Sequence, residues 1–288
     1  MIVWEARLVE AMARRRAVLV IGSGVSRNSV NSQGDRPLSW DGFLKMCCSE
    51  LRDPPHIVDT INSRDFLLGC QLLKSAMGRD AFIERVQREF QLKGFRAASI
   101  HSHLYQLDAP ITLSPNFDNI YDDYCRNTSA GSYVIKTHAS TDIANYLNSG
   151  GTRLLIKSHG AANDPEDLIF TAEDYSRART RYRIFYDIVK SLALTHTFFF
   201  VGCGVDDPDI KMLFEDIKFT FGRAPLHYMT LPNNEVRDEI RTALEVVMPI
   251  RYVLYDPAGG HQQLSDSIAT LVQLVEERRE EMSEGRNW

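Results

Sequence analysis

The chain has 288 residues, 44% of them hydrophobic and 25% charged, enough to build a sizeable globular core without staples. A formal net charge of −5 argues against a dedicated nucleic-acid surface. Its five cysteines, Cys47, Cys48, Cys70, Cys125 and Cys203, show neither paired spacing nor a C-x-x-C, which argues against a disulfide framework and a cysteine-built zinc ribbon.

Apolar positions at helical spacing (Val3, Ala6, Leu8, Val9, Met12) predict a first amphipathic helix within residues 2–15. Arg14-Arg15-Arg16 reads as its solvated end. Ala17–Ile21 is too short for a signal-peptide core or a membrane span, and so is Phe198–Val201; a cytoplasmic protein without membrane association is expected. Residues 17–22 read as a buried strand and 23–38 as a loop. Ser39 caps a predicted helix from Trp40 to about Leu51, with Asp41 in its first turn. After a break at Pro54-Pro55 come helices at Phe66–Ala76, Arg79–Phe90 and Ala97–Leu107.

Strands follow at Ala109–Leu113, Ser132–Lys136 and Thr152–Lys157, with a helix from Asn116 through Tyr124 after the first of them. Residues 161–195 read as mostly helical, Thr197–Val201 as a buried strand, and Asp206-Asp207-Pro208 as a helix start, with Asp207 its cap. Pro225–Leu231 (strand), Glu235–Val247 (helix), Arg251–Tyr255 (strand) and His261–Arg279 (helix) complete the pattern, with a frayed tail from Glu276. Strands alternating with helices imply an α/β fold: a doubly wound, Rossmann-like, mostly parallel sheet with an inserted helical subdomain. A single domain is expected. Its core spans about 15–38, 109–160 and 196–275, and its helical insertions span about 39–108 and 161–195.

Four strand ends then carry unusual residues: Gly22-Ser23-Gly24-Val25-Ser26, Ser114-Pro115-Asn116-Phe117-Asp118, Ser158-His159-Gly160 and Gly202-Cys203-Gly204. Ligands of open α/β sheets bind outside the carboxyl ends of the strands, so all four belong on one rim. Glycine after a strand lets backbone approach a phosphate closely. Alone, Asn116 reads as a helix cap, His159 as a turn residue and Cys203 as a small buried residue. Asp118 stands evenly between a structural and a ligand-contacting role. His101, His103, His138 and His196 read as surface or core residues, and His261 as a cap that could also reach a bound adenine.

In this order and spacing the four segments resemble the sirtuin family, over roughly residues 15–220. The glycine-serine loop looks like its first NAD-binding motif, Ser114–Asp118 like its Thr-x-Asn-x-Asp with serine for threonine, His159-Gly160 like its catalytic His-Gly, and Gly202–Gly204 like its later glycine segment. Deacylating sirtuins carry a four-cysteine zinc module after the His-Gly; here 161–201 holds no cysteine. The chain is therefore more similar to the zinc-free, sirtuin-like NAD hydrolases of bacterial anti-phage systems. That resemblance implies NAD as substrate and no zinc. It implies Asn116 and His159 as catalytic residues, with Gly22, Ser23, Gly24, Ser26, Asp118, Gly202, Cys203 and Gly204 binding NAD. It also implies a homo-oligomer, and a separately encoded partner such as a HerA-type ATPase or an Argonaute-like protein, in abortive infection. A zinc-free protein deacylase and a non-catalytic NAD- or ADP-ribose-binding regulator stay open as alternatives.

Overall fold

The computed structural model describes all residues except 53, 148–150, 205–207, 222–224 and 286–288, and the side chains of Asp209, Ile210 and Phe221. Among the described residues, seven strands form one wholly parallel sheet. They are β1 (Ala17–Ile21), β2 (Ile111–Ser114), β3 (Tyr133–Thr137), β4 (Arg153–Lys157), β5 (Thr197–Val201), β6 (His227–Pro232) and β7 (Ile250–Tyr255), in the order β3-β4-β2-β1-β5-β6-β7. From β1 the chain crosses to β2, passes to the edge strand β3, steps back into β4 between β2 and β3, and then returns to β5 on the other side of β1. The order therefore reverses between β1 and β5, the crevice where doubly wound sheets bind ligands.

Fourteen helices accompany the sheet among the described residues: α1 (Ala6–Ala13), α2 (Ser23–Ser26), α3 (Trp40–Ser49), α4 (Pro55–Asn62), α5 (Phe66–Met77), α6 (Arg79–Phe90), α7 (Ser99–Gln106), α8 (Ile120–Thr128), α9 (Ala144–Leu147), α10 (Ala172–Arg181), α11 (Arg183–Thr195), α12 (Pro208–Phe221), α13 (Asp238–Val247) and α14 (Ala258–Glu284). Strand alternation sorts them into layers. Leu19, Ile21, Phe199 and Val201 face α1, α7 and α14. Val18, Val20, Phe198 and Phe200 face α11 and α12. Each fully buried phenylalanine in β5 removes enough apolar surface to contribute about 2 kcal/mol. A third cluster, built by α3 to α6, takes in Phe170 and the flank of Phe117.

Several sequence expectations change here. α7 packs on α14 and α11 on the sheet, so the separate helical layer is α3 to α6 and not the whole of 39–108 and 161–195. Pro55 opens α4 at its first position, where a missing N–H costs nothing, so the Pro54-Pro55 break is also a helix start. Residues 23–26 make a helical turn, not loop. The tail from Glu276 is helical to Glu284: Met282 is buried, Arg279 donates to the Leu107 carbonyl at 2.9 Å and Arg278 pairs with Glu10 at 2.6 Å. Ser39 caps α3 as expected, its hydroxyl accepting from the Gly42 amide at 3.1 Å. The expected start at Asp206-Asp207, with Asp207 as cap, lies outside the described residues.

Candidate functional site

All four strand-end segments follow carboxyl ends of sheet strands. At the switch point the two glycine segments touch backbone to backbone. The Gly22 amide donates to the Val201 carbonyl and the Gly24 amide to the Gly202 carbonyl, both at 2.9 Å. A Cβ on Gly22 would stand 2.3 Å from the Gly202 oxygen, and one on Gly202, whose φ is +67°, would stand 2.6 Å from the Val25 nitrogen. Both are closer than any side chain tolerates. These amides, expected to face a phosphate, are thus engaged inside the protein; from this loop Ser23 is exposed and Ser26 buried. Cys203 is half-buried, its Sγ 3.8 Å from the Val20 and Val201 carbonyl oxygens.

One strand over, Asn116 is buried, and its Nδ2 donates to Ser26 Oγ at 3.1 Å. That bond joins the first and second segments and leaves Asn116 Oδ1 as an acceptor. Asn116 is not a helix cap. α8 starts at Ile120, later than expected, because Phe117 turns into the helical layer and stacks on Phe170 with ring centroids 4.3 Å apart. Asp118 then makes the turn: its Oδ1 accepts from the Ile120 amide at 3.1 Å.

His159 follows β4, buried beside the Asn116 loop. Its Nδ1 lies 3.4 Å from the Tyr175 hydroxyl, and its carbonyl accepts from the Ile169 amide at 3.1 Å. Gly160 turns the chain at φ +81°, where a Cβ would meet the Asp167 oxygen at 2.8 Å. The Ala162 amide donates to the Phe117 carbonyl at 2.9 Å, tying the third segment to the second. Below His159 lies an apolar cavity of about 60 Å³, walled by Val20, Leu113, Pro115, Phe198 and Phe200.

Three residues that sequence reasoning passed over support this rim. Tyr175 sits on α10, whose start is fixed by a reciprocal Thr171–Asp174 capping box. Lys157, the last residue of β4, is buried with Asp122, its Nζ 3.2 Å from the carboxylate, and it also donates to the Asp118 carbonyl. A lysine closing the otherwise apolar Leu154-Leu155-Ile156 run was the one available signal. Burial pushes the Asp122 carboxyl up, and the Lys157 ammonium pulls it back.

The other candidates sort plainly. His101 is fully buried and accepts from the Ala98 amide at Nδ1 (3.1 Å), which fixes its proton on Nε2; burial holds it down at about 4, against the opposing charge of Asp118. His261 does not cap α14: it bonds the Tyr255 hydroxyl at 2.9 Å, with its backbone at φ 66°. Burial pushes the Cys47, Cys48, Cys70 and Cys125 thiols up, away from thiolate chemistry. Among the described residues no group of three or more His, Cys, Asp or Glu is placed to hold a metal, and no helix is long and apolar enough to cross a membrane.

Residues 111–251 match the family model of the SIR2-like domain, a range that takes in the second, third and fourth segments. Defense-associated sirtuin 2 of Bacillus subtilis is 26% identical over 209 residues, covering 72% of this chain and 20% of that protein. NAD(+) hydrolase ThsA of Enterococcus faecium is 23% identical over 215 residues (74% of this chain, 42% of that protein), and ThsA of Cytobacillus dafuensis 21% over 215 residues (75% and 40%). The chain thus spans a fifth of the first relative and about two-fifths of the other two.

Proposed function

We propose that this chain, whose residues 111–251 match the SIR2-like domain model, is an NAD+ hydrolase that cleaves the nicotinamide–ribose bond to nicotinamide and ADP-ribose. The observation that carries this is that Asn116 and His159, both buried, stand on loops that follow the neighbouring strands β2 and β4 and are bonded to each other through the Ala162 amide and the Phe117 carbonyl, with Asn116 bonded to Ser26 of the first segment. The names of the two ThsA relatives support the same kind of reaction.

Breaking the bond sends its electron pair to the pyridinium nitrogen and leaves positive charge on the ribose ring. Water then bonds to the anomeric carbon. Asn116 Oδ1 accepts a hydrogen bond from that water or from a ribose hydroxyl and holds it in line. With Nδ1–H donating to the Tyr175 oxygen, His159 Nε2 keeps its lone pair and takes the proton released by the water or a ribose hydroxyl. Ser23 and Ser26 bind the pyrophosphate, Asp118 shapes the loop against the ribose or the nicotinamide amide, and Gly202, Cys203 and Gly204 pass under the adenosine half. Gly22 and Gly24 serve NAD binding through shape, keeping the crevice wall free of side chains. NAD loss of this kind suits an abortive-infection effector, held off in a homo-oligomer or by a separately encoded HerA-type ATPase or Argonaute-like partner.

The test is nicotinamide release from NAD by the purified chain, alone and with the products of its neighbouring genes. Asn116→Ala and His159→Ala each abolish it while the protein stays folded, a loss of about 10³-fold or more. Hydrolysis retained in Asn116→Ala overturns the site; release only with an acyl-peptide overturns the reaction in favour of deacylation.

A further inference from the structure

The sheet ladder carries β2 and β4 in register only as far as the Ser158 amide, which donates to the Ser114 carbonyl at 2.9 Å. Past that bond the two strands give way to the loops that bear Asn116 and His159. One ammonium group spans them there. Lys157 stands two residues before His159, and Asp118 two residues after Asn116. Lys157 Nζ donates to the Asp118 main-chain carbonyl and lies 3.3 and 3.2 Å from the two carboxylate oxygens of Asp122, in the first turn of α8. Three acceptors thus match the three donors of an ammonium.

This arrangement makes poor sense as a stabiliser. Both charged side chains are almost wholly withdrawn from water, 1% and 3% exposed, and such pairs are commonly replaced by apolar residues without loss of stability. What an apolar pair cannot do is hold the Asp118 carbonyl. We propose that Lys157 is a positioning residue, a tether that fixes the Asn116–Asp118 turn relative to His159, with Asp122 orienting and neutralising the ammonium. The effect on turnover rests on the NAD-hydrolase reading; the tether itself does not. The second bridge between the loops, the Ala162 amide on the Phe117 carbonyl, lies on the helical-layer side and leaves the Asp118 side to Lys157.

Two full-length double variants remove the tether without stranding a charge: Lys157→Met/Asp122→Asn and Lys157→Leu/Asp122→Leu. Amide hydrogen exchange across 116–120 is followed with NAD turnover and thermal unfolding. The tether predicts unchanged unfolding, faster exchange at 116–120, and kcat lowered about 100-fold in the double variants with KM little changed. Unaltered exchange or wild-type kcat in a folded double variant overturns the proposal, and unfolding of both assigns the pair to stability alone and overturns it too. Should the wild-type chain release no nicotinamide, alone or with the products of its neighbouring genes, while the double variants still lose protection, the hydrolase reading falls and the tether stands.

Discussion

The two halves of the rim are held by different physics. On the β1–β5 side, Gly22–Val25 and Gly202 lie backbone against backbone, and what fixes them is the lack of side chains. On the β2–β4 side, Asn116–Asp122 and Lys157–His159 are joined by side chains: an amide on a serine, an ammonium on a carbonyl and a carboxylate, an imidazole on a phenol. The first half tolerates no added atom; the second tolerates substitution but loses alignment. Damage to the glycine half should therefore show first as lost stability, and damage to the polar half as lost turnover in a folded protein.

Gly22→Ala tests that contrast most severely. The new Cβ would sit 2.3 Å from a carbonyl oxygen that belongs to a buried strand end, so β1 and β5 must part or the loop must be re-formed. A cost of about 3 kcal/mol is expected, seen as a clear drop in thermal midpoint. An unchanged midpoint would mean that the glycine contact yields easily, and the contrast would collapse. Ser26→Ala is the counterpart within the same segment. It leaves Asn116 Nδ2 without its buried acceptor, at about 1–2 kcal/mol, and should lower NAD turnover more than it lowers stability.

That asymmetry also explains what could be read from the chain beforehand. The seven strands and the parallel sheet were legible because they rest on local patterns, short apolar-rich runs ended by glycine or a polar turn; the backbone contact between Gly22–Val25 and Gly202 was not, since those amides were expected to face a phosphate. The placement of Asn116 and His159 on the rim was legible because both follow such runs directly, while their proposed roles came from the resemblance alone. The supports of the polar half were not, because they depend on pairings between remote segments. Lys157 and Asp122 are 35 residues apart, Tyr175 and His159 are 16, and Ser26 and Asn116 are 90. Nothing in a single sequence marks which lysine meets which aspartate. The late start of α8 was hidden for the same reason, since Phe117 leaves the expected helix to stack on Phe170.

A finer probe of the polar half is Tyr175→Phe. It deletes one hydroxyl at 3.4 Å from His159 Nδ1 and leaves the ring in place. Loss of one hydrogen bond of about 1 kcal/mol predicts a kcat roughly fivefold lower, KM unchanged, and the wild-type thermal midpoint. A changed KM with unchanged kcat would place Tyr175 in ground-state binding instead of in orienting the base.

The last probe is acid, and its smallest component is the coupling of one histidine to the polar half. Burial holds His101 at about 4 and His227 at about 3, against the ordinary 6.5. Below pH 6.5 the unfolded chain binds these protons and the folded chain does not, so stability is fully present above pH 6.5 and falls as the pH drops. The loss runs down to about 4 for His101 and about 3 for His227, at up to about 1.4 kcal/mol per pH unit for each group. His227→Asn keeps an acceptor for the Phe198 amide, which now donates to Nδ1 at 3.0 Å, and should flatten the slope of unfolding free energy against pH by one group's worth. His101 adds a link to the polar half, because the nearby Asp118 charge, ahead of the Ala98 backbone bond, is the larger influence that keeps its value from falling further. Asp118→Asn preserves the turn acceptor for Ile120 while removing that charge. Protonation of His101 in the folded protein should then need a lower pH, extending the acid-labile window downward, whereas Gly22→Ala should shift the whole stability curve without changing its slope. Equal slopes in Asp118→Asn and wild type below pH 5 would show that His101 is electrostatically independent of the Asn116–Asp118 turn, and that the polar half ends at the loop itself.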